Sequence, residues 1–552
     1  MRTAAALVVL ASWLPAARGQ GISATKHNLS VSGPGTVKST NETQICIFCH
    51  VPHRGGGGTP GGSASYTPYA SSTLVSPQPG QPSGATRICL SCHDGTIAPG
   101  GSLGRLPDGP SNVGLDLRFS HPVSFVPTAT PELRPPPPDD AVRLDTSGRL
   151  QCTSCHDPHV ADRDPVEKKF LVKDNRGSAL CATCHVPAAW LDSPHQQSTR
   201  PFDTSHGARA GYTTVADHGC GSCHRSHAAG TTSRLLDTPE PQLCLRCHDG
   251  RVAATDVSSD FAKAYVHPVL LGAAGHDAAE GPGSPTHALP ETSASQARHV
   301  ACSDCHDTHT PGKPGWVAGV WGIDATGVRI DPARFEYEVC FRCHADSANQ
   351  PQRLGPLPPS TVRRAVIDVN LRRRFDPAAP SFHPVVAPGR SATVPGLIAP
   401  LTTGSVITCS SCHASDTGPG AGGAGPAGPH GSIYPQLLER AQATADLTVE
   451  SPTAYALCYK CHDRDVLLSD GSLFKPHRKH VVDALTPCSA CHDAHGVSAL
   501  QGNPVNNAHL IDFDVSVVQP NAQGLRIYES AGPGVGSCSL SCHGREHERT
   551  GY

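Results

Sequence analysis

The chain has 552 residues, 44 basic and 47 acidic, for a formal net charge of −3, which leaves no electrostatic footprint for a nucleic-acid partner. Only 38% of residues are hydrophobic and 5% aromatic, while Gly and Pro number 55 and 52, so a conventional apolar core on the scale of this length is excluded. The residues in excess are 24 cysteines and 32 histidines.

At the start, Arg2 precedes an apolar run from Ala4 to Leu14 and small residues up to Gly19. This reads as a secretory signal at residues 1–19. The run is about half the roughly 20 residues a membrane span needs, and no cysteine at the cut offers a lipid anchor.

The pentapeptide C-x-x-C-H then recurs eleven times. Its members are Cys46, Cys49 and His50; Cys89, Cys92 and His93; Cys152, Cys155 and His156; Cys181, Cys184 and His185; Cys220, Cys223 and His224; Cys244, Cys247 and His248; Cys302, Cys305 and His306; Cys340, Cys343 and His344; Cys409, Cys412 and His413; Cys458, Cys461 and His462; and Cys488, Cys491 and His492. A twelfth site, Cys538, Cys542 and His543, has one extra residue between the thiols. Two thiols that can add to porphyrin vinyl groups, followed at once by an imidazole that can reach the iron, are the signature of c-type haem attachment. Zinc ribbons and C-x-x-C redox motifs need no such histidine. Twelve sites use all 24 cysteines, so we expect twelve covalent haems c and neither a disulfide nor a cysteine nucleophile. The cofactors must supply the apolar mass that the chain lacks, which predicts a largely unfolded apoprotein. Their propionates make the loaded protein distinctly acidic.

The sites alternate in type. Odd-numbered sites carry a further histidine three residues on, at His53, His159, His227, His309 and His495. On one helical turn such a histidine lies about 5–6 Å from its neighbour on the same face. It cannot cap its own iron from the opposite side, and is expected to cap the haem of the even-numbered site that follows, so that His227 would serve the Cys244 and Cys247 site. The ninth site lacks this histidine, and His430 is the expected substitute. A histidine also precedes each pair of sites: His27, His121, His195, His267, His383, and one of His477 or His480, the first being favoured. These complete a set of twelve distal ligands.

Gly55–Gly58, 135–138 and 418–431 read as linkers. Short helices are expected at and after the attachment sites. Near the end, Phe513, Val515 and Val517 alternate with polar residues and predict a hairpin returning through 525–528. Trp316 and Trp321 read as local core. The fold class expected is mostly irregular coil with short helices and a small C-terminal β-hairpin.

The alternating sites, the H-P-V triplets at His121, His267 and His383, and the ending H-L-I-D-F-D from His509 resemble the doubled C-x-x-C-H multihaem cytochromes c of secreted bacterial respiratory systems. The resemblance implies a multihaem cytochrome c fold organised around a stacked haem chain. It divides the chain into the signal (1–19) and six dihaem modules, at 20–115, 116–190, 191–262, 263–350, 351–470 and 471–552, the last with the hairpin. It also implies an electron carrier, not an enzyme, located in the periplasm or outside the cell. Its partners would be redox proteins of the periplasm or cell surface, or else a mineral or further copies of the chain in a filament or oligomer.

Met1 is the sole methionine and would leave with the signal, so Met/His ligation, which raises the potential, is excluded and bis-histidine, low-potential irons are expected. Six-coordinate irons have no position for a substrate. The alternative is a multihaem reductase of a small oxyanion, of the nitrite or tetrathionate type, at one five-coordinate iron; no C-x-x-C-K site supports it.

Overall fold

The computed structural model describes residues 21–50, 65–71, 73–95, 106, 109, 111–202, 211–270, 300–310, 317–345 and 362–552. The signal segment, His53, the Gly55–Gly58 linker and Trp316 lie outside them. Among the described residues no helix is long and apolar enough to cross a membrane.

Most of the chain is irregular, as its Gly and Pro content dictates. The longer helices, Gly84–His93, Glu240–Leu245 and Glu336–His344, end in even-numbered attachment motifs, and the single turn Ala456–Tyr459 enters another. Helices were expected at and after the sites; these instead run into them from upstream, although Arg464–Leu467 does follow one. Segments this short are marginal in isolation and hold because their last turn is anchored. Odd-numbered motifs are single turns such as Cys152–Cys155 and Cys302–Asp304. Each closes when the histidine N–H donates to the carbonyl of the first cysteine, at 3.0 Å for His156 and 2.9 Å for His306.

The backbone forms two compact units, one of Met1–Leu191 with His195–Thr238 and one of Asp192–Pro194 with Pro239–Tyr552. The division between Thr238 and Pro239 falls inside the segment 191–262. The first unit holds the sites from Cys46 to Cys220 and the second those from Cys244 to Cys542. Apolar clusters are small in both: Tyr66, Leu90 and Leu117 in the first, and Phe341, Phe375, Phe382 and Val385 with two alanines in the second. The guanidinium groups of Arg329 and Arg342 lie over the Trp321 ring, 4.3 and 4.0 Å from its centre.

The C-terminal sheet corrects the hairpin expectation. Residues 513–517 form a turn around Asp514, which accepts the N–H of Ser516 (2.9 Å) and of Val517 (3.1 Å). The strands are Val518–Gln519, Ile527–Gly532, Val535–Cys542 and Arg545–Gly551, with Val535–Cys542 pairing antiparallel to all three others. The alternation at 513–517 reflects burial against this sheet, where Phe513 and Val517 pack with Tyr528 and Leu540.

Candidate metal centres

Nine attachment histidines face a second histidine across a gap of one size. In the first unit the ring centres of His50 and His159 lie 6.2 Å apart, His93 and His27 6.1 Å, His156 and His227 6.2 Å, and His185 and His121 6.1 Å. In the second unit His306 and His430 lie 6.0 Å apart, His344 and His267 6.5 Å, His413 and His495 5.9 Å, His462 and His383 6.5 Å, and His492 and His477 6.4 Å. Two nitrogen–metal bonds of about 2 Å, plus about 1.1 Å from each nitrogen to its ring centre, require about 6.2 Å. The spacing fits one iron between each pair.

The pairs follow a rule different from the one expected. His227, expected to serve the site that follows, faces His156, two sites upstream. His159 likewise reaches back to His50, His430 to His306 and His495 to His413. The histidines preceding a pair of sites, His27, His121, His267 and His383, face the even-numbered sites. His195 and His309 are half-buried.

Backbone carbonyls orient these rings. The Nδ1 atom donates to the carbonyl of Ser111 from His93 (2.6 Å), of Lys169 from His156 (2.8 Å), of Arg234 from His224 (2.7 Å), of Pro429 from His267 (2.7 Å), of Gln436 from His413 (2.8 Å) and of His509 from His492 (2.9 Å). A carbonyl only accepts, so Nδ1 carries the proton and Nε2 keeps its lone pair toward the gap. Burial pushes His27, His185, His227, His344 and His462 down to about 4. They are neutral at ordinary pH, the form a metal requires.

Two sequence signals for this arrangement were overlooked. One is an apolar pair after an odd site, Leu235-Leu236, Leu437-Leu438 and Leu510-Ile511, directly following the carbonyl that accepts from the attachment histidine. Arg234 and Leu235, Gln436 and Leu437, and His509 and Leu510 all have φ between 50° and 63°. Left-handed backbone at such residues costs of order 1–2 kcal/mol each, and here it turns a carbonyl onto the imidazole. His509 thus contributes its main chain, not its ring. The second signal is the aspartate of H-D-x-H: Asp157, Asp307 and Asp493 accept the N–H of His159 (3.0 Å), His309 (2.9 Å) and His495 (2.9 Å), setting the turn that projects the extra histidine.

Attachment loops dock in pairs. The thiols of Cys89 and Cys152, Cys181 and Cys220, Cys244 and Cys302, Cys340 and Cys409, and Cys458 and Cys488 lie close enough to perturb each other's ionisation. Every docked pair joins an even site to the next odd one, and each lies wholly within one unit. A side chain three or four residues before the even cysteine secures four of them. Thr86 Oγ1 accepts the N–H of Cys152 (3.1 Å), Ser178 Oγ that of Cys220 (2.6 Å), and the Glu240 carboxylate that of Ser303. Glu336 accepts both the N–H (2.5 Å) and the hydroxyl (2.7 Å) of Ser410. Glu336→Ala removes two hydrogen bonds to a charged acceptor, worth about 1.5–3 kcal/mol each. The expected result is an earlier thermal unfolding transition with the haem content unchanged; an unshifted transition would show that this clamp contributes nothing.

The twelfth site is built differently. Cys538 and Cys542 lie on the strand Val535–Cys542, where four residue steps put their Cα atoms about 13 Å apart, and no helical turn closes His543 onto Cys538. A cavity of about 2100 Å³ in the second unit is bordered by residues of this site and by both histidines of the pairs His344 and His267, His413 and His495, His462 and His383, and His492 and His477. Ordinary ligand pockets span about 300–1,000 Å³, so this volume suits several large flat cofactors.

A family model described as the doubled CXXCH motif matches this chain at residues 146–189, 213–253 and 399–467. Each match covers one odd-numbered and one even-numbered site. Among curated proteins no match is found.

Proposed function

We propose that this chain, which matches the doubled CXXCH motif in three segments, is a multihaem c-type cytochrome that carries twelve covalent haems c, ligated by two histidines each, and acts as an electron conduit or store in periplasmic or extracellular respiration. The observation that carries the reading is the set of nine histidine pairs, with ring centres 5.9–6.5 Å apart. An iron held on both sides has no open position, so electron transfer without bond chemistry is the activity such a pair permits. The haem supplies the redox change. The chain's imidazoles bind and orient it, the carbonyls on Nδ1 hold the ligating tautomer, and the absence of methionine after Met1 keeps the potentials low.

Docking supports a continuous path within each unit. In the first unit the docked thiols connect the second site to the third and the fourth to the fifth. The back-reaching His159 and His227 connect the first site to the third and the third to the fifth. In the second unit His430 and His495 link the seventh, ninth and eleventh sites in the same way. A histidine borne on one attachment loop and facing another site's iron brings two cofactors close together. The partners in this reading are redox proteins outside the cytoplasm.

Two measurements test it. Intact mass of the secreted protein is expected to give twelve haems and no free thiol. Electron paramagnetic resonance of the oxidised protein is expected to contain low-spin iron alone. A high-spin signal in the wild-type protein, together with turnover of nitrite or tetrathionate at about 1–1000 per second, would replace the conduit by a reductase.

A further inference from the structure

One histidine pair contains no attachment histidine. His480 and His547 have ring centres 6.3 Å apart with their planes 29° from parallel, the same gap as the nine others. His480 Nδ1 donates to the carbonyl of Pro476 at 2.9 Å, so its Nε2 keeps the lone pair, as in the attachment histidines. His547 pairs with Leu540 in the sheet register and shares a face with it. Residues two apart on a strand also share a face, so Cys538 and Cys542 border the same cavity as both histidines.

His543 is arranged the other way. With Gly544 it forms the two-residue turn between Cys542 and Arg545, at φ 48° and 71°, a primed hairpin turn whose tip faces solvent. Its Nε2 lies 2.9 and 3.1 Å from the two oxygens of Asp446. A carboxylate accepts only, so this Nε2 carries the proton, the reverse of the attachment histidines whose Nδ1 donates to a carbonyl and whose Nε2 keeps its lone pair.

We propose that the axial ligands of the twelfth haem are His480 and His547, and that His543, although adjacent to the second cysteine, does not bind its iron. The assignment rests on the twelve-haem reading. It holds whether one or both of the thiols of Cys538 and Cys542 carry a thioether. Phe474 and Tyr552, with ring centres 4.6 Å apart, supply aromatic surface beside the pair.

The test uses the full-length secreted holoprotein. His547→Ala is expected to convert one iron to high spin with the haem count unchanged, whereas His543→Ala is expected to leave every iron low-spin. Should His547→Ala fail to accumulate, His547→Met decides. It is expected to stay low-spin, to add the sulfur-to-iron charge-transfer band of a methionine-ligated ferric haem and to raise the potential of one iron. A wholly low-spin His547→Ala protein, a His547→Met protein without that band, or a high-spin iron in His543→Ala overturns the assignment while leaving twelve haems intact. A wild-type protein with eleven haems and free thiols at Cys538 and Cys542 overturns the twelve-haem reading and this assignment together.

Discussion

Replacing His227 by alanine is expected to open the iron carried by Cys152 and Cys155, leaving those carried by Cys220 and Cys223 and by Cys244 and Cys247 six-coordinate. His227 follows its own attachment histidine by three residues, and its ring stands 6.2 Å from that of His156. One ring cannot lie on both sides of an iron, so the ligand is lost where the ring points, not where it is attached in sequence. One high-spin iron should appear in the electron paramagnetic resonance spectrum. Its identity is checked by His156→Ala, which acts on the same iron, so that the double variant should show no second high-spin centre. Two high-spin centres in the double variant would show that His227 and His156 serve different haems.

Removing the cofactors is expected to abolish the fold. Chain expressed without haem attachment should lack a cooperative thermal transition and be cleaved throughout by protease, while the holoprotein resists. The cavity of about 2100 Å³ in the second unit far exceeds the few water-sized voids that a packed interior contains, and buried clusters of six residues or fewer cannot close it. A folded, protease-resistant apoprotein would mean that the backbone carries more of the stability than its composition implies.

The chemistry of attachment was legible in the sequence because it is local. Two thiols and an imidazole within five residues specify a covalent haem wherever the turn closes, and counting them left no cysteine for another purpose. The sparse apolar content likewise foretold a mostly irregular chain. Of the twelve distal candidates, His27, His121, His159, His227, His267, His383, His430, His477 and His495 each face an attachment histidine.

Which histidine faces which was decided only by the tertiary structure. Sequence order grouped each odd site with the even site after it, and the matched family segments follow that grouping. In space the even site docks onto the next odd one, through Thr86, Ser178, Glu240 and Glu336, and His159, His227, His430 and His495 reach two sites back. The reason is that a distal ligand must approach from the side opposite its own loop. Its partner is therefore set by how separate loops pack and by which distant carbonyl fixes its Nδ1, neither of which is contained in a five-residue motif. The C-terminal site shows the same limit most sharply: C-x-x-x-C-H departs from its eleven predecessors by a single residue, but β-pairing of Val535–Cys542 with Arg545–Gly551 turns His543 outward to Asp446 and brings His547, which no motif marked, opposite His480.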